Sequence, residues 1–195
     1  MSAENPFETP QAAPLPPTAA TALPWFAVGK NKLLIMTITT FGLYTIHWFE
    51  RHYRRQKLLR NESTMPLARG IFSIFFANEL FTRVHFDVET SGIMCGWKAK
   101  DLATIFIASA VVGRLIDRTV GNFGGVGGYV GALIGLGLLG GLAFPIVKVQ
   151  ESVNALLAQR YPGFDPNDRF TVWNWLLIVI GSLLIITTLL SPLIQ

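Results

Sequence analysis

The chain has 195 residues and a formal net charge of +4; 51% of its residues are hydrophobic and only 14% are charged, whereas soluble domains carry about 25% charged residues. This composition excludes an ordinary soluble domain and indicates an integral membrane protein. The single cysteine, Cys95, excludes an internal disulfide and a multi-cysteine zinc site.

The first 24 residues are rich in proline, alanine and threonine and contain neither a basic residue nor an apolar run. Such a segment cannot bury enough apolar surface to fold, so residues 1–24 are predicted to form a disordered tail. A secretory signal peptide would need a basic start and an apolar stretch, and none is expected here. Residues 25–195 are predicted to form one membrane domain.

The first hydrophobic segment, residues 33–49, is predicted to be a transmembrane helix, although it is short and rich in threonine. A basic segment follows it directly, and its helical spacing predicts a face that contacts anionic lipid headgroups. That face comprises Arg51, Arg54, Arg55 and Lys57. An alternative for residues 33–49 is a segment that enters the membrane without crossing it, which would leave the N-terminus in the cytoplasm.

Residues 66–86 combine a strong apolar face with three charges, at Arg69, Glu79 and Arg83. The uncharged stretch is too short to cross a bilayer. The pattern favours an amphipathic helix that lies in the interface, and a re-entrant helix is the alternative.

The second predicted transmembrane helix, residues 102–120, carries Arg114, Asp117 and Arg118 near its end. A charge at the centre of a membrane helix costs about 2.5–3.5 kcal/mol on insertion scales. The arginines could extend to the outer surface, and this is the simpler interpretation. The functional alternative is a polar site that faces the next helix.

That next helix is predicted over residues 126–147, where glycines recur without any charged residue. Glycines four apart form a flat strip that lets another helix approach closely. The strip comprises Gly127, Gly131 and Gly135, then Gly137 and Gly141. The letters of a dinucleotide-binding motif occur at 135–140, but a strand before them and an acidic residue about 20 positions later are missing, so helix packing is the favoured interpretation.

The remaining chain is predicted to contain a short surface helix at 149–160, a loop, and a last transmembrane helix at residues 173–193. Of the 16 basic residues, twelve lie in the segments 51–100 and 148–169. The positive-inside rule therefore assigns both segments to the cytoplasm. The expected fold is all-α: a polytopic bundle of about four transmembrane helices plus the interfacial helix.

Three motifs together resemble a family of small bacterial inner-membrane proteins catalogued only as a domain of unknown function. The first is Thr40-Phe41-Gly42-Leu43-Tyr44 followed by Trp48-Phe49. The second is Arg69-Gly70-Ile71-Phe72-Ser73, and the third is Asn167-Asp168-Arg169-Phe170-Thr171 followed by Trp173-Asn174-Trp175. The resemblance covers most of the chain after about residue 25. It implies a multi-pass protein of the bacterial inner membrane and no catalytic residue.

No nucleophile with an adjacent base is visible in the sequence. His85, Asp87 and Glu89 alternate along the chain and could share a metal only on an extended strand, so a solvated loop is the favoured interpretation. The sequence thus predicts a non-enzymatic protein without a cofactor or nucleic-acid partner, which acts through helix packing or partner contacts. It leaves homo- and hetero-oligomers open. The alternative is a small transporter or channel subunit that uses Arg114 and Asp117.

Overall fold

The structure is a computed structural model that describes residues 23–120 and 125–194, with side chains described over 23–116 and 128–190. Helices are the only regular secondary structure among the described residues. Its helices, in chain order, are α1 (Lys30–Thr39), α2 (Tyr44–Arg60), α3 (Pro66–Ile71), α4 (Ser73–Glu89), α5 (Ala99–Val120), α6 (Gly125–Arg160) and α7 (Val172–Ile194). The prediction of an all-α fold is confirmed for this part of the chain. The predicted tail, residues 1–24, lies almost wholly outside it.

Two of the described helices are long and apolar enough to cross a membrane, over Gly128–Arg160 and Val172–Leu190. They correspond to the predicted transmembrane segments 126–147 and 173–193. The other two predicted segments, 33–49 and 102–120, do not reach that standard within the described residues.

The predicted single helix over residues 33–49 is wrong, because the chain breaks after Thr39. Phe41 and Gly42 both adopt left-handed backbone conformations, with φ of 52° and 83°. The amide of Gly42 donates to the carbonyl of Thr37 at 2.8 Å, and the amide of Phe41 donates to that of Ile38 at 3.1 Å. This pair of bonds is a Schellman motif, which satisfies the last carbonyls of α1 and ends the helix.

Helices α1 and α2 therefore form a hairpin whose tip is residues 40–43, here called the first hairpin. The ring of Phe26, just before α1, lies 5.9 Å from the ring of His52 in α2. The middle of α2 thus lies beside the residues that precede α1. At about 1.5 Å per residue, α1 is only about 15 Å long, roughly half of a hydrocarbon core.

Residues 66–86 form two helices, α3 and α4, which meet at Phe72. A side-chain Cβ placed on Gly70 would lie 2.6 Å from the carbonyl oxygen of Ile46, so α3 crosses α2 almost backbone to backbone. The predicted interfacial helix is only partly correct. The apolar face of α4 covers the protein core through Ala77, Leu80 and Phe81, whereas Phe72 at the bend and Phe75 and Phe86 on α4 are exposed.

Helices α5 and α6 lie side by side and antiparallel. The indole Nε1 of Trp97 donates to Oγ of Ser152 at 2.9 Å, and Gly141 sits against the side chain of Ser109. Helix α6 continues without a break to Arg160. The predicted separate helix at 149–160 is therefore wrong, because these residues are the end of the glycine-rich helix. Its predicted apolar side is present and fully buried, and it comprises Val149, Val153, Leu156 and Leu157.

Helix α7 begins at a polar cap and runs parallel to α1. The side-chain Oδ1 of Asn174 accepts hydrogen bonds from the backbone amide and hydroxyl of Thr171 at 2.9 and 3.0 Å. The ammonium of Lys32 donates to the carbonyl of Arg169 at 2.6 Å and so ties the entry of α7 to α1. Further along, Gly181 touches the backbone of Thr39.

The hydrophobic core lies at one end of the molecule. It is built from α2, α4, the first turns of α5 and the last turns of α6, with residues 25–28 laid across them. This part, called the packed end, holds the fully buried aromatic residues Trp25, Trp48, Phe49, Tyr53 and Phe81. The opposite part, called the open end, comprises the first hairpin tip, the Phe72 bend and the remaining lengths of α5, α6 and α7, whose apolar side chains are mostly exposed.

Candidate functional site

The open end contains a cavity of about 1000 Å³ that is lined by five elements. These are the first hairpin tip, the Phe72 bend, and the facing sides of α5, α6 and α7. Most of its lining is apolar, with Phe106, Leu139 and Ile185 on three different helices. Small-molecule sites occupy about 300–1000 Å³ and are mostly apolar with few polar groups, so the cavity has the size and character of a binding site.

Arg114 is the only charged residue among the described residues that line the cavity. It belongs to α5, and Gly131 and Gly135 of α6 line the same cavity. The predicted polar position therefore lies at the wall of a cavity that the glycine-rich helix also lines. The other two members of the predicted group, Asp117 and Arg118, have side chains outside the described part.

The predicted glycine strip is only partly a packing surface. A Cβ on Gly141 would collide with Ser109, so this glycine brings α5 and α6 together. Gly131 is buried, and Gly127 lies outside the described side chains. Gly135 and Gly137 do not fit the prediction, because a Cβ added at either would meet no atom of the described residues within 4 Å. At these two positions the flat face borders open space instead of a helix.

A second group of polar side chains is buried at the packed end around Gln150. Its Oε1 accepts from Trp48 Nε1 at 2.7 Å and lies 3.2 Å from His52 Nε2. Its Nε2 donates to the carbonyl of Phe26 at 3.0 Å and to Oδ1 of Asn154 at 2.8 Å. This Gln150 cluster fastens residues 26–28 between α2 and α6. No sequence pattern indicated it, since its members are far apart in the chain.

The hydrogen bonds of the Gln150 cluster fix the protonation of His52. The Trp48 indole can only donate and the Phe26 carbonyl can only accept, so the Gln150 amide has one possible orientation. Its Oε1 accepts hydrogen bonds, and His52 Nε2 must therefore donate to it. The neutral ring then has an unprotonated Nδ1, which has no hydrogen-bond partner among the described residues. Burial lowers the pKa of His52 to about 3. A histidine held neutral in this way positions neighbours and is not poised as a general acid near pH 7.

We expect this burial to make stability depend on pH. The unfolded His52 binds a proton below about pH 6.5 and the folded one does not, so stability is complete above that pH and is lost as the pH falls toward about 3. Between pH 6.5 and 4.5 this residue alone removes about 2–3 kcal/mol from the free energy of unfolding. Urea denaturation of the detergent-solubilised protein as a function of pH measures it.

His52→Gln is the matched variant for that measurement. It is less stable at pH 7 because packing is lost, but its stability has a slope shallower by about 1.4 kcal/mol per pH unit over this range. Carboxylates titrate in both proteins and cancel in the comparison. Equal slopes for wild type and variant would mean that His52 is not buried in its neutral form.

The basic face predicted on α2 is present and points away from the core. Arg51 and Lys57 are exposed, and Arg55 is half-buried, whereas His52, Tyr53 and Gln56 on the opposite side are buried. Arg54 pairs with Glu50, whose Oε1 lies 2.6 Å from the guanidinium Nε. Three of the four predicted headgroup contacts thus carry cations without an ion pair to any described carboxylate.

His85, Asp87 and Glu89 lie on α4 and do not converge. His85 Nδ1 is 3.3 Å from Glu89 Oε2 one turn away, and its Nε2 lies 3.1 Å from the carbonyl of Trp97. Asp87 faces Arg60 at 3.7 Å. Within the described chain no three side chains of this type are grouped as a metal site would need.

No protein-family model, curated protein or solved structure matches the chain. The resemblance carried by the three sequence motifs therefore stays a prediction.

Proposed function

We propose that this chain is a non-enzymatic, multi-pass protein of the bacterial inner membrane, which acts through contacts that its open end makes inside the bilayer. The observation that carries the proposal is the contrast between the two ends. A packed end with an aromatic core needs no partner, while α7 exposes apolar side chains on nearly all sides. Contiguous apolar surface of this extent suits contact with lipid or another membrane helix.

The level of the bilayer can be proposed from residues that lie side by side. Lys30 pairs with Glu151 at 3.4 Å, and the antiparallel register of α5 and α6 brings Lys100 to the same level. Trp173 stands near this level at the start of α7, as aromatic residues do at an interface. Beyond it α5, α6 and α7 extend as apolar helices, so we propose three crossings together with two hairpins that dip in and return.

The three sequence motifs coincide with joints of the fold. Phe41 and Gly42 form the Schellman turn, Gly70 allows α3 to cross α2, and Asn174 caps α7. The backbone conformation, small size or hydrogen-bonding group of each residue is thus used to shape the fold. This supports a protein that works through its shape and contacts and not through a reaction.

We expect cysteine labelling in whole cells to reveal the dip of the first hairpin. In a Cys95→Ala background, Asn31→Cys before the hairpin, Lys57→Cys after it and Gln159→Cys in α6 should all resist an impermeant thiol reagent. All three residues are exposed, and the twelve clustered basic residues assign their side to the cytoplasm. Permeabilised cells are the control, in which all three should react.

The comparison of Asn31→Cys with Lys57→Cys distinguishes a hairpin from a crossing helix. If residues 33–49 cross the bilayer, Asn31→Cys reacts in intact cells and Lys57→Cys does not. If both react, the packed end is outside and the proposed orientation is wrong. If the protein is released from membranes by alkaline carbonate, the membrane assignment itself is wrong.

A transporter or channel subunit is the second candidate, and one observation favours it. Arg114 lines a cavity beside the glycine-rich helix, and a charged residue within a membrane helix is typical of a functional pathway. Transport would depend on Arg114 and Asp117. Ion flux through reconstituted vesicles that Arg114→Gln abolishes would favour this candidate over the first.

A further inference from the structure

We propose that the cavity of the open end binds one anionic phospholipid, with an acyl chain along its apolar walls and the headgroup phosphate at Arg114. This inference rests on the proposed membrane location and names the class of ligand for the site. It combines three observations: the size and lining of the cavity, its single described charge, and the height of that charge along α5.

The walls of the cavity match a hydrocarbon chain. They comprise Phe106 on α5, Leu139 and Leu142 on α6 and Ile185 on α7, and Phe41 of the hairpin tip also lines the cavity. No described atom lies within 4 Å of where a Cβ of Gly135 would be, so α6 offers a smooth surface at that level. A protein helix would need close backbone contact here, whereas a flexible chain fills such a space without it.

The charge at Arg114 selects an anion. No described carboxylate lies within ion-pairing distance of its guanidinium, and the other charged residues of this turn, Asp117 and Arg118, leave it net positive in sequence. A guanidinium binds phosphate through two parallel hydrogen bonds. Ser109 lines the same cavity and adds a hydroxyl that can donate to a phosphate or ester oxygen.

The height of Arg114 favours a lipid over a soluble anion. At ~1.5 Å per residue, Arg114 lies about 21 Å along α5 from Lys100, about two-thirds of the way through a hydrocarbon core of ~30 Å. A free phosphate ion would have to leave water to reach it. A phospholipid of the far leaflet holds its phosphate just beyond the hydrocarbon core, on the side nearer to Arg114, and an arginine side chain can extend toward that surface to meet it.

Lipids themselves supply no hydrophobic reason to enter the cavity, since the surrounding chains are equally apolar. Discrimination must therefore come from the headgroup. Anionic phosphatidylglycerol should be retained better than phosphatidylcholine with the same acyl chains, because the choline cation offsets the phosphate charge near Arg114.

Native mass spectrometry of the full-length protein in neutral detergent tests the inference, with each lipid added in turn. For wild type we expect one phosphatidylglycerol per chain, bound about tenfold more tightly than phosphatidylcholine, as for other charge-assisted contacts. Arg114→Gln should abolish this preference, and Arg114→Lys should keep most of it. Lys100→Gln removes an exposed cation of the same helix outside the cavity lining and should leave the preference unchanged.

A pair of glycine variants tests the cavity separately from the charge. Gly135→Phe adds a ring at a position that lines the cavity and where a Cβ would meet no described atom within 4 Å, so binding of both lipids should fall at least tenfold. Gly137→Phe, on the same helix but outside the cavity lining, is the matched control and should bind as wild type does. Size-exclusion profiles show whether each variant is folded.

Several outcomes would overturn the inference. It fails if phosphatidylglycerol and phosphatidylcholine bind equally to wild type, if Lys100→Gln lowers the preference as much as Arg114→Gln, or if Gly135→Phe still binds one lipid. If any of these results is obtained while the protein stays in the membrane during carbonate extraction, the lipid proposal is wrong and the proposed function stands. Extraction by carbonate would instead remove the proposed function itself.

Discussion

Gln150→Leu should lower the free energy of unfolding by about 3–5 kcal/mol, because each buried polar group left without a partner costs about 1–3 kcal/mol. Leucine nearly matches glutamine in volume but cannot bond. Trp48 Nε1, His52 Nε2 and the carbonyl of Phe26 would all lose their partner. Residues 26–28 would then be held to α6 mainly through Asn154, which donates to the carbonyl of Val28 at 2.9 Å.

Thermal unfolding in detergent, followed by tryptophan fluorescence, measures this loss. Gln159→Leu is the matched control, since Gln159 is exposed on the same helix and makes only a weak bond of 3.3 Å to Ser91. The control should stay within about 0.5 kcal/mol of wild type. Similar melting temperatures for the two variants would show that the Gln150 cluster does not hold the N-terminal segment.

Periodicity and composition were sufficient to predict the helices but not their breaks. The apolar side of 149–160 and the basic face of α2 follow from 3.6-residue spacing, which the local sequence carries. The turn at Phe41 and Gly42 could not be predicted from this spacing. A phenylalanine in a left-handed conformation is uncommon, and the residues around it are as apolar as a transmembrane helix. The threonines before it are compatible with both outcomes.

The candidate site shows a similar division. Arg114 stands out in sequence because a charge is rare inside an apolar helix, and the structure brings it to the cavity wall. The cavity itself has no local signature, since five elements build it from residues 41 to 189. Equally, spacing selected Gly135 and Gly137 as packing residues, but whether a helix fills the space beside a glycine depends on the rest of the fold.

Gly181 is the packing glycine that spacing did not reveal, because it stands alone in α7. A Cβ at this position would overlap the backbone carbonyl oxygen of Thr39, which belongs to the last turn of α1 and cannot move without disturbing the Schellman turn. Backbone gives way far less readily than a side chain. Gly181 is therefore the point at which α7 is anchored to the first hairpin.

Gly181→Ala should consequently destabilise the protein by at least about 2 kcal/mol, in the range of an overpacked core, even though alanine is the better helix former by about 1 kcal/mol. Gly137→Ala is the matched control, since the same methyl group enters open space; it should melt at or above the wild-type temperature. Fluorescence-detected size-exclusion chromatography after heating measures both. If Gly181→Ala melts with Gly137→Ala, α7 does not contact α1, and the far wall of the cavity is not where the structure has it.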